Sequence, residues 1–543
     1  MMRAVAPRRR VALALGVAAG AVMCAAPAIS RAQGARCDSV WSRTALASLS
    51  GRPVRSVRIE TQDPASLKFV PSAFDRLHVR TRDATVRRLV LVAAGDTVDT
   101  LRVSESLRRL RQLRYLGDVA VLGTSCDGGP VDVSVVTRDL WSVRPSLQLR
   151  TASQAFSVTE RNVFGTGREA SIGLRSDANG VAVSAGLRDP WFLGRDLSLD
   201  LTSTGDGERG IHTAVVRKRE HSILDRSGLE GYVEGSSFGP SNLDTTALAG
   251  APVEALRRID AGALVSRRVH LSSTGVLHAT TGAEFSRLEW ELPAAGRVQR
   301  LRQFTGLSAG LRRRSVAYDT VTWFLPERGL VDVPTSYEYD VLASAGTDNV
   351  TRRGMLHLDA WVGRMWFAGH ERLLVGDLWG SGYVSGGTWS DATVRASLSL
   401  YARARGGLWT ARVSGERWFS PDPDVRSVTI PDPTIRALEH DPRAAPDAAL
   451  VSVERSVHLR KLTRSYTLDV AGFGAASART AASVGTFGVG LRLAPTRLGR
   501  ATARLDVGWP VVRRGEANAK PFMAIGITQW LEQDRSRDGR RSR

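Results

Sequence analysis

The feature that most constrains this chain is a two-residue alternation of apolar and polar side chains over residues 142–530, with almost no helical periodicity. Such alternation is typical of β-strands that have one apolar and one polar face. Val143, Leu147 and Leu149, for example, share one face of a predicted strand whose other face carries arginines. Turn-forming segments such as Asp-Ala-Asn-Gly at residues 177–180 separate the strands. The region is therefore predicted to fold as consecutive hairpins.

The length of these strands predicts a membrane barrel. Roughly 16 to 20 strand candidates can be counted, most of them near or above the roughly 9 to 11 residues that cross a bilayer at a tilt. Because lipid cannot satisfy backbone polar groups, strands span it only as a closed barrel. Trp191, Trp323, Trp366 and Trp418 are each followed by Phe near a predicted strand end, where an aromatic girdle is expected. We therefore predict a mostly β chain that forms a transmembrane antiparallel β-barrel.

Two irregular segments interrupt the alternation. Residues 319–334 contain Pro326 and Gly329, and they are predicted to form a turn or loop. Residues 420–447 carry aspartates interleaved with prolines and are predicted to form a surface loop.

The start of the chain predicts export. Arginines at residues 8–10 precede a run rich in Ala, Val, Leu and Gly, and small residues lie around Ala32 where a signal peptidase would cleave. We predict a signal peptide over residues 1–32, followed by a short N-terminal segment over residues 33–51. A retained membrane anchor is the alternative, but the run is weakly hydrophobic and contains a proline.

The cysteines are consistent with an oxidising compartment. Cys24 lies in the predicted signal peptide, which leaves Cys37 and Cys126 as one pair in an exported chain. A disulfide between them is predicted, with two unrelated thiols as the alternative. The sequence shows no Cys/His spacing of a metal site, so we predict no metal and no cofactor.

Residues 52–138 show a different pattern, with apolar residues near helical spacing. The order predicted is β-α-α-β-β, and the exposed edge of such a small sheet can pair with an extended peptide. A domain that acts only as a spacer and binds nothing is the alternative. The predicted elements are a strand at 55–60, helices at 84–92 and 99–113, and strands at 119–122 and 131–136.

Several motifs resemble one known family. The segments ERNVFGTG at residues 160–167 and RDPWFLG at residues 188–194 resemble the opening hairpins of the BamA/TamA superfamily, the bacterial surface antigen type of outer-membrane barrel that carries periplasmic POTRA domains. Residues 52–138 are similar to a single POTRA domain. The chain end, which reads FMAIGITQW at residues 522–530, resembles the last strand of these barrels.

The resemblance implies an outer-membrane barrel over residues 139–531, a periplasmic POTRA-like domain and a polar basic tail over residues 532–543. It implies assembly of outer-membrane proteins or translocation of polypeptides, with outer-membrane lipid and unfolded polypeptide clients as partners, and it leaves periplasmic chaperones open as further partners. The client-binding edge is predicted at Val119, Ala120, Val121 and Leu122. A seam that opens laterally between the first and last strands is predicted at Val143, Leu147, Leu149, Phe522, Gly526 and Trp530.

Other functions remain open at this point. Members of the family carry a Val-Arg-Gly-Phe or Arg-Gly-Tyr motif in a late loop, and residues 420–447 contain neither. A passive outer-membrane pore or structural surface antigen is therefore the alternative, and an adhesin acting through that loop is a third hypothesis.

Catalysis and nucleic-acid binding find little support in the sequence. The formal net charge is +21, but the arginines are spread along polar strand faces and form no groove interleaved with aromatic residues. Ser308 lies in a G-x-S-x-G segment, yet it belongs to an alternating strand with no helix after it, unlike a hydrolase nucleophile. We predict no enzyme and no nucleic-acid partner.

Overall fold

The structure is a computed structural model of the chain. It describes residues 37–40, 48–64, 78–126, 128–150, 154–177, 180–194, 197–205, 209–218, 224–238, 255–292, 297–321, 331–419, 447–463, 466–479, 482–495, 502–514 and 521–528. The predicted signal peptide, the loop at residues 420–446 and the tail over residues 532–543 lie outside these ranges.

The N-terminal domain combines a four-stranded sheet with two helices. The sheet order is β1-β3-β4-β2, in which β2 runs parallel to β4 and the other pairs are antiparallel. The predicted β-α-α-β-β order is present, and a short strand that the sequence analysis missed precedes it. The elements are β1 (Cys37–Val40), β2 (Val54–Gln62), α1 (Asp83–Arg87), α2 (Thr100–Arg111), β3 (Leu116–Cys126) and β4 (Val131–Asp139). That this domain is a POTRA domain stays a prediction.

The sequence explains how the domain folds. Alternate residues of β4 are buried, and Val133 and Val135 pack in one core with Leu110 of α2. Asp99 caps α2, because its carboxylate accepts the backbone N–H of Leu101 at 2.8 Å. The first helix is shorter than predicted.

That early end of α1 has a physical cause. The backbone N–H of Leu91 donates to Ser106 Oγ at 2.8 Å instead of to a carbonyl one helical turn earlier. The residues on either side of Leu91 are Val90 and Val92, and β-branched side chains have a lower helix propensity. The predicted extension to Val92 is therefore wrong.

The register of β1 bears on the predicted disulfide. Cys37 lies directly opposite Cys126 in the antiparallel β1–β3 ladder, and Cys126 is disulfide-bonded. Opposite residues in such ladders have Cα atoms about 4.5 to 5.5 Å apart, within the range of about 4.4 to 6.8 Å that a disulfide spans. The register is compatible with a Cys37–Cys126 bond, which stays a prediction.

The rest of the chain closes into one antiparallel barrel of 20 strands, at the upper limit of the predicted number. Two further strands, β15 and β16, form a separate hairpin between β14 and β17. In chain order the strands are β5 (Val143–Arg150), β6 (Gln154–Val163), β7 (Arg168–Asp177), β8 (Gly180–Asp189), β9 (Leu197–Gly205), β10 (Arg209–Lys218), β11 (Ser227–Phe238), β12 (Ala255–Leu271), β13 (Gly275–Leu292), β14 (Arg297–Ser315), β15 (Tyr318–Val321), β16 (Val331–Pro334), β17 (Glu338–Asp348), β18 (Arg353–Phe367), β19 (Arg372–Ser385), β20 (Thr388–Ala404), β21 (Gly407–Phe419), β22 (Asp447–Thr463), β23 (Tyr466–Arg479), β24 (Ala482–Pro495), β25 (Thr502–Arg514) and β26 (Phe522–Thr528).

The outer surface of the barrel is apolar. Ile172, Leu307 and Val511 are 62%, 75% and 62% exposed, whereas Ser308, which follows Leu307 in β14, is buried inside. This is the reverse of a water-soluble sandwich and is the surface that a barrel in lipid requires. Among the described residues, no helix is long and apolar enough to cross a membrane.

The N-terminal domain leads directly into β5, which defines two ends of the barrel. We call the end at which β5 begins the near end and the opposite one the far end. Because consecutive barrel strands are antiparallel, the β6–β7 and β8–β9 turns lie at the near end, as does the connection that contains the β15–β16 hairpin. The β17–β18 and β19–β20 turns lie at the far end.

Candidate functional site

The turn between β6 and β7 docks the barrel on the N-terminal domain. Phe164, Gly165 and Gly167 all have positive φ, of 55°, 72° and 74°. A Cβ atom on Gly165 would collide with the backbone carbonyl of Arg80, and one on Gly167 would collide with the Tyr115 hydroxyl. Both positions therefore require glycine for two reasons, the backbone conformation and the close approach of the domain.

Hydrogen bonds fix this docking. Asn162 is fully buried; its Nδ2 donates to Thr81 Oγ1 of the domain at 2.8 Å, and its Oδ1 accepts the N–H of Gly167 at 2.8 Å. The hydroxyl of Thr85 donates to the carbonyl oxygen of Gly165 at 3.0 Å. The buried amide of Asn162 thus stabilises the conformation of the turn and also binds the turn to the domain.

The second motif of the resemblance, residues 188–194, meets the same domain. Asp189 accepts the backbone N–H of Trp191 at 2.9 Å and the Nε–H of Arg168 at 3.0 Å. The Trp191 ring is 6% exposed and belongs to the hydrophobic core of the N-terminal domain, with the Arg88 guanidinium 5.2 Å from its ring centre. The predicted place of Trp191 in a lipid-facing girdle is therefore wrong, because its ring packs into the domain.

The connection from β4 to β5 is also held. Asp139 is fully buried and accepts the backbone N–H of Thr81 at 2.7 Å. The N–H of Leu140 donates to the carbonyl oxygen of Tyr115 at 2.8 Å. Burial, followed by the negative charge of Asp139, raises the pKa of Tyr115 above its ordinary value, so the phenol at the docking turn stays neutral. These bonds make the connection part of the interface.

The β15–β16 hairpin links the domain to the inside of the barrel. Arg111 of α2 forms an ion pair with Asp332 at 3.1 Å, and the Arg108 guanidinium lies 5.2 Å from the centre of the Tyr318 ring. On the other side of the hairpin, Val333 is 1% exposed. It packs in one cluster with residues of the inner barrel wall, Leu373, Val375 and Tyr401. The segment predicted as a turn or loop thus contains a hairpin that enters the near end of the lumen.

The barrel closes where β26 meets β5. Residues 524–527 pair with residues 147–150 in a ladder of four residue pairs, and the adjacent β5–β6 and β25–β26 ladders have seven pairs each. Of the predicted seam residues, Leu147, Leu149 and Gly526 lie within this ladder. The first and last strands are therefore neighbours, and lateral opening between them stays a prediction.

The other predicted seam residues lie elsewhere. Val143 pairs with β6 before the seam ladder begins. Phe522 is 4% exposed and belongs to an apolar cluster on the inner wall, with its ring centre 6.4 Å from that of Phe473. Trp530 lies outside the described residues.

The predicted client edge at residues 119–122 belongs to β3, an inner strand of the sheet. β3 pairs with β4 on one side, and within the described residues β1 pairs with its end at residues 123–126 on the other. At the opposite side of the sheet β2 is the outermost strand. Binding of a client at residues 119–122 stays a prediction.

The lumen contains a polar network that the sequence analysis missed. Ser308 lies within β14, and its Oγ is 2.8 Å from Ser344 Oγ in a buried contact. Its side chain therefore belongs to the polar network of the lumen. Nearby, Glu284, His357 and Ser381 come together from three strands. His357 is 73 positions from Glu284 and 24 from Ser381, so only the strand register brings them into contact. Within the described residues, no group of three or more His, Cys, Asp or Glu side chains could hold a metal ion.

Comparisons with known proteins give similarity of fold at low identity. No family model and no curated protein matches the chain. CdiB from Acinetobacter baumannii is similar with 10% identity and a TM-score of 0.38, covering 90% of this chain and 77% of that one. BamA from Haemophilus ducreyi lacking POTRA domains 1–3 is similar with 12% identity and a TM-score of 0.36, and the match covers 91% of this chain and 90% of that one. The FrpB iron transporter from Neisseria meningitidis is similar with 9% identity and a TM-score of 0.40, and the match covers 74% of this chain and 84% of that one.

These similarities are too low to choose between functions. The class of protein instead follows from its own geometry, a closed 20-stranded antiparallel barrel with an apolar exterior. An α+β domain is docked on its near end through the β6–β7 and β8–β9 turns.

Proposed function

We propose that this chain is an outer-membrane protein that assembles outer-membrane proteins or translocates unfolded polypeptides, with its N-terminal domain in the periplasm. The apolar exterior of the barrel supports a place in lipid, and the family resemblance of residues 160–167 and 188–194 supports the role. The observation that carries the proposal is the short ladder between β26 and β5.

That ladder is the shortest one among the described strands of the barrel. Its four residue pairs are fewer than those of any other barrel ladder within the described strands. Each backbone hydrogen bond contributes about 0.5 to 1.5 kcal/mol net, so among the described residues this ladder has the fewest backbone contacts to break when neighbouring strands separate. Once separated, both strands offer unpaired N–H and C=O groups to an incoming strand. A client strand would thereby enter the barrel wall and leave into lipid.

The docked domain supports delivery of clients to this place. Its contacts with the turns after β6 and β8 hold it beside the start of β5, one of the two seam strands. Unfolded polypeptides that pair with residues 119–122 would be held beside the start of β5, four residues before the seam ladder begins. Periplasmic chaperones are the further partners that would supply such clients.

A passive pore or structural surface antigen is the second candidate. The contents of the lumen favour the structural surface antigen, whose lumen is simply filled, because the β15–β16 hairpin enters the near end and ion pairs join side chains of the inner wall. Arg302 bonds to Asp391 at 3.0 Å, and Arg492 bonds to Asp506 at 2.6 Å. Steady ion conductance with a defined solute selectivity would support this candidate.

Depletion of the protein separates the two functions. If the chain assembles or translocates proteins, the outer-membrane proteome measured over the following generations loses other barrels or secreted proteins together. If only this protein disappears, the assembly and translocation proposal is wrong and the passive candidate remains.

A further inference from the structure

Three lumen side chains form a hydrogen-bonded series that resembles the relay of a serine hydrolase. Ser381 Oγ lies 3.2 Å from His357 Nε2, and His357 Nδ1 lies 3.1 Å from Glu284 Oε2. A nucleophile within hydrogen-bond reach of a base, with that base oriented by a third group, is the arrangement that activates a serine. The geometry alone identifies it, since the three residues are far apart in the sequence.

The carboxylate end of the series is fixed. The hydroxyl of Ser344 donates to Glu284 Oε2 at 2.7 Å, and the hydroxyl of Tyr232 donates to Glu284 Oε1 at 3.3 Å. With Glu284 ionised, its carboxylate only accepts hydrogen bonds, and His357 Nδ1 then carries the proton that faces it. The lone pair of His357 Nε2 is then available to accept the hydroxyl proton of Ser381, which is the tautomer that a general base needs.

The histidine ring is held in place by aromatic neighbours. The Tyr383 ring stacks on His357 with 4.5 Å between ring centres and 19° between planes. Phe304 meets the same ring nearly edge-on, at 6.3 Å and 70°. Because these contacts restrict rotation of the imidazole, both hydrogen bonds of His357 are kept at once.

The serine lies beside an irregularity in the barrel wall. The register of β19 against β20 shifts between Ser381 and Tyr383, and Asp391 on β20 has a positive φ of 52°. Bulges of this kind re-aim side chains and are over-represented next to active sites. Ser381 is half-buried, and the β19–β20 turn that follows it lies at the far end. Ser381 thus lies near the far end of β19, so a substrate of the proposed site would approach it from that end.

We propose that Ser381, His357 and Glu284 form a catalytic site that hydrolyses carboxylic esters small enough to enter the lumen from the far end. This activity goes beyond the proposed handling of polypeptides and does not depend on it. Ser381 Oγ bonds to the ester carbonyl carbon while its proton passes to His357 Nε2. The bond from that carbon to the alcohol oxygen then breaks, and His357 returns the proton to the departing alcohol.

Water completes the cycle. It adds to the acyl group on Ser381 and gives a proton to His357 Nε2. The bond between the acyl carbon and Ser381 Oγ breaks, the oxygen recovers that proton, and a carboxylic acid is released. No oxidation or reduction occurs, and Glu284 remains ionised throughout as the group that orients His357.

The test uses the purified full chain in detergent, a fluorophosphonate probe and a p-nitrophenyl ester. Peptide mass spectrometry is expected to place the phosphonyl adduct on Ser381 of the wild-type protein. Ser381→Ala removes the adduct, and His357→Gln lowers ester hydrolysis about 100-fold or more, the loss expected for a general base. Glu284→Gln lowers it as well, because its amide no longer fixes the tautomer.

The chain provides a matched control. Ser203 Oγ lies 2.9 Å from His212 Nδ1 at an exposed position, and in the described part of the chain no carboxylate bonds to His212. Ser203→Ala is expected to leave the adduct and the hydrolysis rate unchanged. A folded wild-type protein with no adduct on Ser381 overturns the proposal, as does a Ser381→Ala variant that hydrolyses the ester at the wild-type rate. The wild-type labelling result does not depend on whether any variant folds.

Discussion

Gly165 is the residue whose replacement tests the docking face most directly. Gly165→Ala places a Cβ against the backbone carbonyl of Arg80 at a position with φ of 72°. The left-handed conformation alone costs a non-glycine residue about 1 to 2 kcal/mol, and the collision adds to it because a backbone carbonyl cannot move aside. We expect faster proteolytic cleavage between the N-terminal domain and the barrel, measured by limited proteolysis of the folded protein.

Gly128→Ala is the control for the backbone conformation. Gly128 has φ of 71°, but a Cβ there would meet nothing within 4 Å. It is expected to destabilise the domain slightly and to leave its docking intact. Equal cleavage in both variants would show that the interface does not depend on the close approach at Gly165.

Asp132 gives the domain a pH dependence. Its hydrogen bonds from Arg55, and then from Ser56, lower the pKa of this carboxyl from 3.8 to about 2. A pKa lower in the folded than in the unfolded state stabilises the fold above the unfolded value, and this contribution is lost as the pH falls from 3.8 to about 2. The pair is exposed, so the effect is small.

Asp132→Asn is expected to remove this contribution. The melting temperature of the N-terminal domain, measured across this pH range, should fall less steeply with decreasing pH in the variant than in the wild type. Parallel curves for the two proteins would show that the Arg55–Asp132 contact does not stabilise the domain.

Among the elements, the β15–β16 hairpin has the most direct influence on the lumen. Val333→Asp places a charge in the apolar cluster formed with Leu373, Val375 and Tyr401, at a cost of several kcal/mol. We expect the hairpin to leave the inner wall and the single-channel conductance in planar bilayers to rise. Thr335→Asp, at an exposed position just after β16, should conduct like the wild type. Equal conductance of Val333→Asp and wild type would mean that the hairpin does not obstruct the lumen.

The elements also show where sequence reasoning ends. Alternation predicted the strands of the domain and the barrel, because a two-residue period of buried side chains is visible within each short segment of the sequence. It could not predict that residues 318–321 and 331–334 pair and enter the lumen, since the proline and glycine between them indicate only a turn. The first helix ends early because the side chain of Ser106, 15 positions after Leu91, accepts the N–H of Leu91.

At the scale of the whole molecule, the closed barrel was predictable and its contacts were not. The length of the strands indicated that they cross a membrane, and a membrane requires every backbone polar group to be paired, so a closed barrel was predicted. The motifs at residues 160–167 and 188–194 indicated a family, and the structure shows that both contact the N-terminal domain. The series of Glu284, His357 and Ser381 depends on the register of strands that are far apart in sequence, so no local pattern could predict it.

The most direct test of the central proposal is to lock the seam between β5 and β26 with a disulfide. Gln148 and Gly526 are opposite each other in the β5–β26 ladder, at a separation that a disulfide can span. The double variant Gln148→Cys/Gly526→Cys, expressed during depletion of the wild type, should fail to restore the outer-membrane proteome when oxidised and should restore it after addition of a reductant. The matched pair Gly173→Cys/Ser184→Cys locks the β7–β8 ladder and should restore it under both conditions. If the oxidised seam variant restores the proteome as well as this control does, the seam does not open during function and the proposed mechanism is wrong.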